Sequence, residues 1–125
     1  PSIDAAAARL RAADPLLSDE HARFFAERGT VALPDGSRRF KHDPLHVTRG
    51  PYPFRIDVAE TFWRAVTCPV LLVEGSESPF RVLENLERRV ACFEGAERVV
   101  IEGASHMIQR HQPEALAGVL TRFLG

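Results

Sequence analysis

The sequence has little of what marks several protein classes. Its 125 residues contain only two cysteines and one lysine, and no apolar run approaches the ~20 residues of a membrane-spanning helix. Two cysteines are too few for a disulfide-rich scaffold and lack metal-ligand spacing. The formal net charge of −1 offers no excess of positive charge for nucleic acid or an anionic membrane surface.

What remains is the composition of a soluble globular domain. Apolar residues make up 45% and charged residues 26% of the chain, which is long enough to bury a modest core. Cys68 and Cys92 adjoin apolar stretches, so the sequence predicts buried free thiols and a reducing, cytoplasmic location.

Helices and polar connections dominate the first half of the chain, up to residue 66. The Ala-rich segment 2–13 and the segment capped by Ser18 and ending at Gly29 predict two helices. Pro34-Asp35-Gly36-Ser37 is a turn sequence between the short segments 30–33 and 38–41, and this pattern predicts a hairpin. After a proline-rich connection, a third helix is expected from about Asp57 to Ala65.

From residue 67 onward the pattern is β-α-β-α. The continuous apolar run 69–73 is typical of a parallel strand covered on both faces, and residues 98–101 predict a second strand. Ser78-Pro79 predicts the start of a helix that continues to near Gly95. A loop over residues 102–112 and a last helix from Pro113 follow.

Two apolar parallel strands would leave both edges of their sheet unpaired. A sheet of this size is not independently stable. The sequence therefore predicts that another polypeptide segment, or a second copy of the chain, pairs with these strands.

Three segments carry a resemblance to a known family. They are Thr67–Gly75 (TCPVLLVEG), Gly103–Met107 (GASHM) and Gln112–Leu116 (QPEAL), followed by a closing Phe123-Leu124. In this order and spacing they resemble the C-terminal part of the α/β-hydrolase superfamily. The resemblance implies an α/β fold in which residues 67–125 supply two parallel strands with flanking helices. Residues 1–66 are similar to the mostly helical lid that precedes them in this family.

The resemblance also assigns a role to one histidine. In the family, a histidine on the loop after the last strand accepts the proton of a nucleophilic serine, and an acid orients its imidazole. His106 stands at the matching position and is the expected general base. Among the other histidines, His42 or His46 could line a substrate entrance.

The acid is less directly assigned. In the family an aspartate usually follows the penultimate strand, but Ser78 occupies that place here. Glu77 is the nearest carboxylate and is the candidate acid within this chain. In some relatives the acid instead follows an earlier strand, which this chain lacks.

The nucleophile has no candidate in the sequence. No Gly-x-Ser-x-Gly elbow occurs, and Ser105 is rejected because the side chains of neighbouring residues diverge. The resemblance therefore implies a serine hydrolase of ester, lactone or thioester bonds whose N-terminal part carries the nucleophile. The chain alone is expected to be inactive, and neither a metal nor an organic cofactor is implied.

Two other kinds of function stay open, a non-catalytic one and a different reaction of the same fold. The chain could be a non-catalytic module that self-associates through its strand edges or binds a ligand. Alternatively, the intact protein could be an epoxide hydrolase or dehalogenase with an aspartate nucleophile, or a cofactor-free oxygenase. The residue that separates these reactions lies on the nucleophile elbow.

Overall fold

The computed structural model describes residues 2–43, 45, 50 and 52–125. The role considered for His46 therefore lies outside the described residues. The chain divides into two units, Pro1–Pro51 and Tyr52–Gly125. The boundary predicted after residue 66 differs from this division, and the assignment of residues 1–66 as a lid stays a prediction.

Two packed helices, α1 (Ile3–Ala13) and α2 (Asp19–Gly29), form most of the first unit. Each begins where the sequence supplies a cap, because the Ser2 hydroxyl accepts from the Ala5 amide and the Ser18 hydroxyl from the His21 amide. Fully buried alanines on the two helices allow close packing: Ala6, Ala22 and Ala26. Both predicted helices are confirmed.

The predicted hairpin is also confirmed. Strand β1 (Thr30–Ala32) pairs antiparallel with β2 (Arg38–Phe40), with Thr30 opposite Phe40. Gly36 adopts a φ of 78° in the turn, a conformation that favours glycine. The buried Thr30 hydroxyl donates to the Ala26 carbonyl, which ties the ribbon to α2.

The second unit contains the predicted parallel strand pair. Strand β3 (Leu71–Gly75) pairs in parallel with β4 (Glu97–Ile101), with Leu71 opposite Glu97 and Gly75 opposite Ile101. Helix α6 (Pro113–Leu124) packs on this pair, and its Leu116 and Val119 contact the core around Ile101. Within the described ranges, no third strand joins this sheet.

The predicted helix after Ser78 is wrong as a single element. A 3₁₀ turn (Pro79–Val82) is followed by the short helix α4 (Leu86–Val90). Leu83 is extended, with a ψ of 126°, which interrupts the helical hydrogen bonds. The predicted loop 102–112 also contains a short helix, α5 (Ile108–His111), anchored by the buried side chain of Ile108.

Several apolar side chains of the second unit are exposed in the described residues. Helix α3 (Ile56–Trp63) forms as predicted, but Val58 and Phe62 are 47% and 71% exposed because nothing in the described residues covers them. Cys92 is buried as predicted, whereas Cys68 precedes β3 and is exposed. Among the described residues, no helix combines the length and apolarity needed to cross a membrane.

Candidate active site

His106 lies on the loop that follows β4. Because β3 and β4 are parallel, their carboxyl ends share one edge of the sheet, and ligands of open α/β sheets bind at this edge. The loop from Glu102 to Met107 crosses this edge before α5 begins at Ile108. The fold therefore places His106 at the end of the sheet where ligands bind in open α/β folds.

Backbone hydrogen bonds join this histidine loop to the end of β3. The Ser76 amide donates to the Ile101 carbonyl and the Glu77 amide to the Ala104 carbonyl, each at 2.9 Å. The Gly103 amide donates to Ser76 Oγ at 3.0 Å. Two segments that are distant in sequence are thus fixed to one another, which limits the motion of the loop.

The contact between β3 and the histidine loop requires glycine at position 75. A Cβ atom at Gly75 would lie closer than 3.0 Å to the carbonyl oxygens of both Ala104 and Ser105. Those atoms belong to the backbone and cannot rotate away. The loop therefore approaches β3 more closely than any residue with a side chain would allow.

The imidazole of His106 is exposed and contacts one aromatic ring. The ring centroids of Phe80 and His106 are 4.3 Å apart with an interplanar angle of 65°, an edge-to-face arrangement. Phe80 is presented by the 3₁₀ turn that Ser78 begins. Together with Val73 and Ile108, these residues line a hollow of about 200 Å³.

Among the described residues, neither Glu77 nor Ser78 forms a hydrogen bond with the imidazole of His106. Glu77 is exposed and accepts a hydrogen bond from Ser76 Oγ at 3.3 Å, and no hydrogen bond or ion pair links it to His106 in the described part of the chain. Ser78 is only 8% exposed, and its hydroxyl accepts from the Phe80 amide. The structure thus gives Ser78 the helix-capping role that its sequence position predicts.

A carboxylate that sequence reasoning missed also lines the hollow. Glu74 lies within β3 with its side chain 15% exposed, and it forms ion pairs with Arg98 and, at 3.7 Å, with Arg81. Arg98 donates hydrogen bonds to Glu74 and to Glu87, and these two bonds raise the pKa of Arg98. The charge of Glu74 is therefore already compensated. A carboxylate inside an otherwise apolar strand was a signal that Glu74 needs a positively charged partner, although it does not indicate which residue that partner is.

A second histidine, His111, forms a hydrogen bond with the backbone of the histidine loop. The Ser105 amide donates to Nδ1 of His111 at 3.1 Å, so this nitrogen acts as an acceptor without a proton. Sequence reasoning assigned no role to His111. Its position at the end of α5 connects the orientation of that helix to the backbone beside His106.

Replacement of His111 by leucine is expected to loosen the histidine loop. The variant loses one hydrogen bond, which contributes about 0.5–1.5 kcal/mol. The Ser105 amide should therefore exchange its hydrogen with solvent roughly three to ten times faster. Exchange measured by NMR would check this, with the Leu116 amide in α6 as the internal reference. His111→Asn, which keeps an acceptor, should slow exchange again. Equal exchange rates in the leucine variant and the parent chain would contradict the assignment.

Other site predictions involve fewer observations. His42 belongs to the first unit, where its ring lies 5.5 Å from that of Phe40, and its role at a substrate entrance stays a prediction. Over the described residues, no group of three or more histidine, cysteine, aspartate or glutamate side chains could hold a metal ion.

Comparison with known proteins gives no sequence family but finds similar structures. No protein-family model and no curated protein matches the chain. A thioesterase domain from the curacin biosynthetic pathway is 27% identical with a TM-score of 0.81, over 98% of this chain and 44% of that one. E-2-(acetamidomethylene)succinate hydrolase is 24% identical with a TM-score of 0.74, over 98% and 45%. An esterase of Mycobacterium tuberculosis is 22% identical with a TM-score of 0.79, over 99% and 41%.

These matches confirm the fold that the sequence motifs predict. The chain has the fold of the C-terminal portion of α/β-hydrolases, a small parallel sheet with flanking helices. It spans less than half the length of the solved structures that it resembles. Those structures bear the names of hydrolases, an esterase and a thioesterase.

Proposed function

We propose that this chain supplies the general base, His106, to a serine hydrolase that cleaves an ester, lactone or thioester bond. The observation that carries the proposal is the state of the His106 imidazole at the carboxyl edge of the sheet. It is exposed, and neither ring nitrogen has a hydrogen-bond partner among the described residues. A general base needs such a nitrogen to receive the proton of the nucleophile.

The nucleophile is proposed to lie on a segment that extends the sheet. Strands β3 and β4 pair only with each other in the part of the chain described, and Val100 of β4 is 38% exposed. Parallel sheets are normally covered on both faces and longer than two strands. A segment with further strands and a Gly-x-Ser-x-Gly elbow would complete both the sheet and the catalytic site. Residues 1–66 would then act as the lid.

The acid that orients His106 has two proposed sources. Glu77 could reach the imidazole after rotation of its exposed side chain, which gives up only the bond from Ser76 Oγ. The alternative is a carboxylate on an earlier strand of the added segment. Glu77→Gln distinguishes the two sources. The variant should lose most of the activity if Glu77 is the acid, and should keep it if the acid lies on the added segment.

Thioesters are the first substrate class to test. The thioesterase domain that the chain resembles supports this choice, whereas the other two matches are named as a hydrolase and an esterase. Hydrolysis of an ester, a lactone or a thioester by a serine hydrolase requires the same transfer of a proton from serine to histidine. The substrate class is therefore set by the pocket and not by His106.

Reconstitution tests the proposal directly. Residues 1–125 alone are expected to show no hydrolysis, whereas their mixture with the segment encoded upstream should cleave p-nitrophenyl butyrate or release a thiol from an acyl thioester. A fluorophosphonate probe should label a serine of the added segment only in the mixture. Hydrolysis by residues 1–125 alone at the rate of the mixture would contradict the proposal.

Self-association is a second candidate function, favoured by the exposure of Phe62 and of the strand pair. Light scattering separates the two, because this function requires a discrete oligomer without another polypeptide. If the added segment instead carries an aspartate at the nucleophile position, the reaction would be that of an epoxide hydrolase or dehalogenase.

A further inference from the structure

A cleft in the first unit gathers positive charge. Its volume is about 700 Å³, and its lining includes four cationic side chains but one acidic side chain, Asp43. The cationic residues are Arg9, Arg38, Arg39 and Lys41. The chain as a whole has a net charge of −1, so this concentration of cations is local and not a consequence of composition.

The cations of the cleft differ from other arginines of the same unit. Arg11 and Arg23 form ion pairs with Asp19 and Asp4 across the two helices. Within the described ranges, none of the four cleft cations forms an ion pair with a carboxylate. Within the described residues no ion pair neutralises their charge, so the cleft would attract an anion.

Local structure explains how these side chains converge. Arg38 is fixed by a hydrogen bond from its Nε to Thr30 Oγ1 at 2.8 Å, and Lys41 Nζ donates to the Arg28 carbonyl at 2.8 Å. The guanidinium of Arg9 lies 5.6 Å from the centre of the Phe40 ring. Arg39, at the exposed middle position of β2, also lines the cleft and has no partner among the described residues. Three of the cations are therefore held in place and the fourth is free to bind.

We propose that this cleft binds a small molecule that carries at least two phosphate groups. Guanidinium groups match phosphate oxygens in pairs, and clefts of roughly 300–1,000 Å³ are typical of small-molecule sites. A concave surface favours such a ligand over the flat surface of an acidic protein. The neighbouring rings of Phe40 and His42 add an aromatic surface that could contact a base or sugar.

This inference is independent of the hydrolase proposal, because every residue that carries it lies between residues 9 and 43. Titration of residues 1–125 with pyrophosphate and, separately, with ADP is expected to give saturable binding that weakens as sodium chloride is added. NMR shifts should concentrate at residues 9 and 38–43. Tighter binding of ADP than of pyrophosphate would assign a contact to the aromatic pair, and equal binding would assign recognition to the phosphates alone.

Arg39→Gln is the most informative variant, because Arg39 has no partner among the described residues whose loss could disturb the fold. Removal of one charge-assisted hydrogen bond predicts a roughly tenfold higher Kd for pyrophosphate. Arg64→Gln removes an equal charge from the second unit, at an exposed arginine that has no side-chain partner in the described part of the chain, and should leave Kd within about twofold. The proposal is overturned if neither ligand binds at millimolar concentration, if both variants weaken binding equally, or if Arg39→Gln has no effect.

Discussion

His106→Ala is expected to lower kcat for acyl hydrolysis by roughly 10⁴- to 10⁶-fold in the enzyme reconstituted from this chain and its nucleophile-bearing segment. Without the imidazole, the serine hydroxyl keeps its proton and attacks the acyl carbon poorly. KM should change far less, because a general base contributes to the transition state and not to the binding of the substrate before it reacts. Initial rates with p-nitrophenyl butyrate at several concentrations would separate the two parameters.

The stability of this variant provides its control. His106 is exposed, and its one aromatic contact is the edge-to-face arrangement with Phe80, which is worth about 0.5–1.5 kcal/mol. The variant should therefore fold and bind the added segment. Its lower rate would then come from the missing proton transfer and not from unfolding. His21→Ala, a histidine of α2, should retain nearly full activity. Retention of activity by His106→Ala would remove this residue from the mechanism.

The parts of the fold that depend on local sequence were predictable. Caps such as Ser18 act on amides three residues away, and the Pro-Asp-Gly turn specifies its hairpin within four residues. The break at Leu83 was not predictable, because apolar spacing continues through it from Phe80 to Leu86. Periodicity reports which face is apolar and does not report where the backbone leaves the helix.

The site was predictable in outline and not in its contacts. The motif around His106 indicated its place after the second strand, but Glu74 pairs with a residue 24 positions away. The bond from Ser105 to His111 likewise depends on how α5 folds back. Such contacts arise from tertiary packing, which has no signature in the spacing of residue types along one sequence.

Gly75→Ala should have the largest effect on the structure. The added Cβ would meet the carbonyl oxygens of Ala104 and Ser105 at less than 3.0 Å, so either β3 or the histidine loop must move. Forced displacement of backbone in a packed region costs about 3 kcal/mol or more, at the upper end for overpacking. Urea unfolding followed by circular dichroism would give the change in the free energy of unfolding.

A matched glycine in the same unit supplies the control. Gly118 lies within α6, and among the described residues a Cβ there would meet no atom within 4 Å apart from those of the adjoining helix. Gly118→Ala should therefore stabilise the chain by about 0.5–1 kcal/mol, since alanine is the better helix former. Opposite signs for the two substitutions would attribute the cost at Gly75 to its close contact and not to the loss of glycine as such.

The same substitution connects the fold to the proposed chemistry. The hydrogen bonds from Ser76 and Glu77 to the loop depend on the close approach that Gly75 allows. A displacement of about 1 Å in a catalytic group can cost roughly 100-fold in rate. In the reconstituted enzyme, Gly75→Ala should thus lower kcat by about that factor at temperatures where the variant is still folded. Normal kcat together with normal stability would mean that the loop does not depend on this glycine.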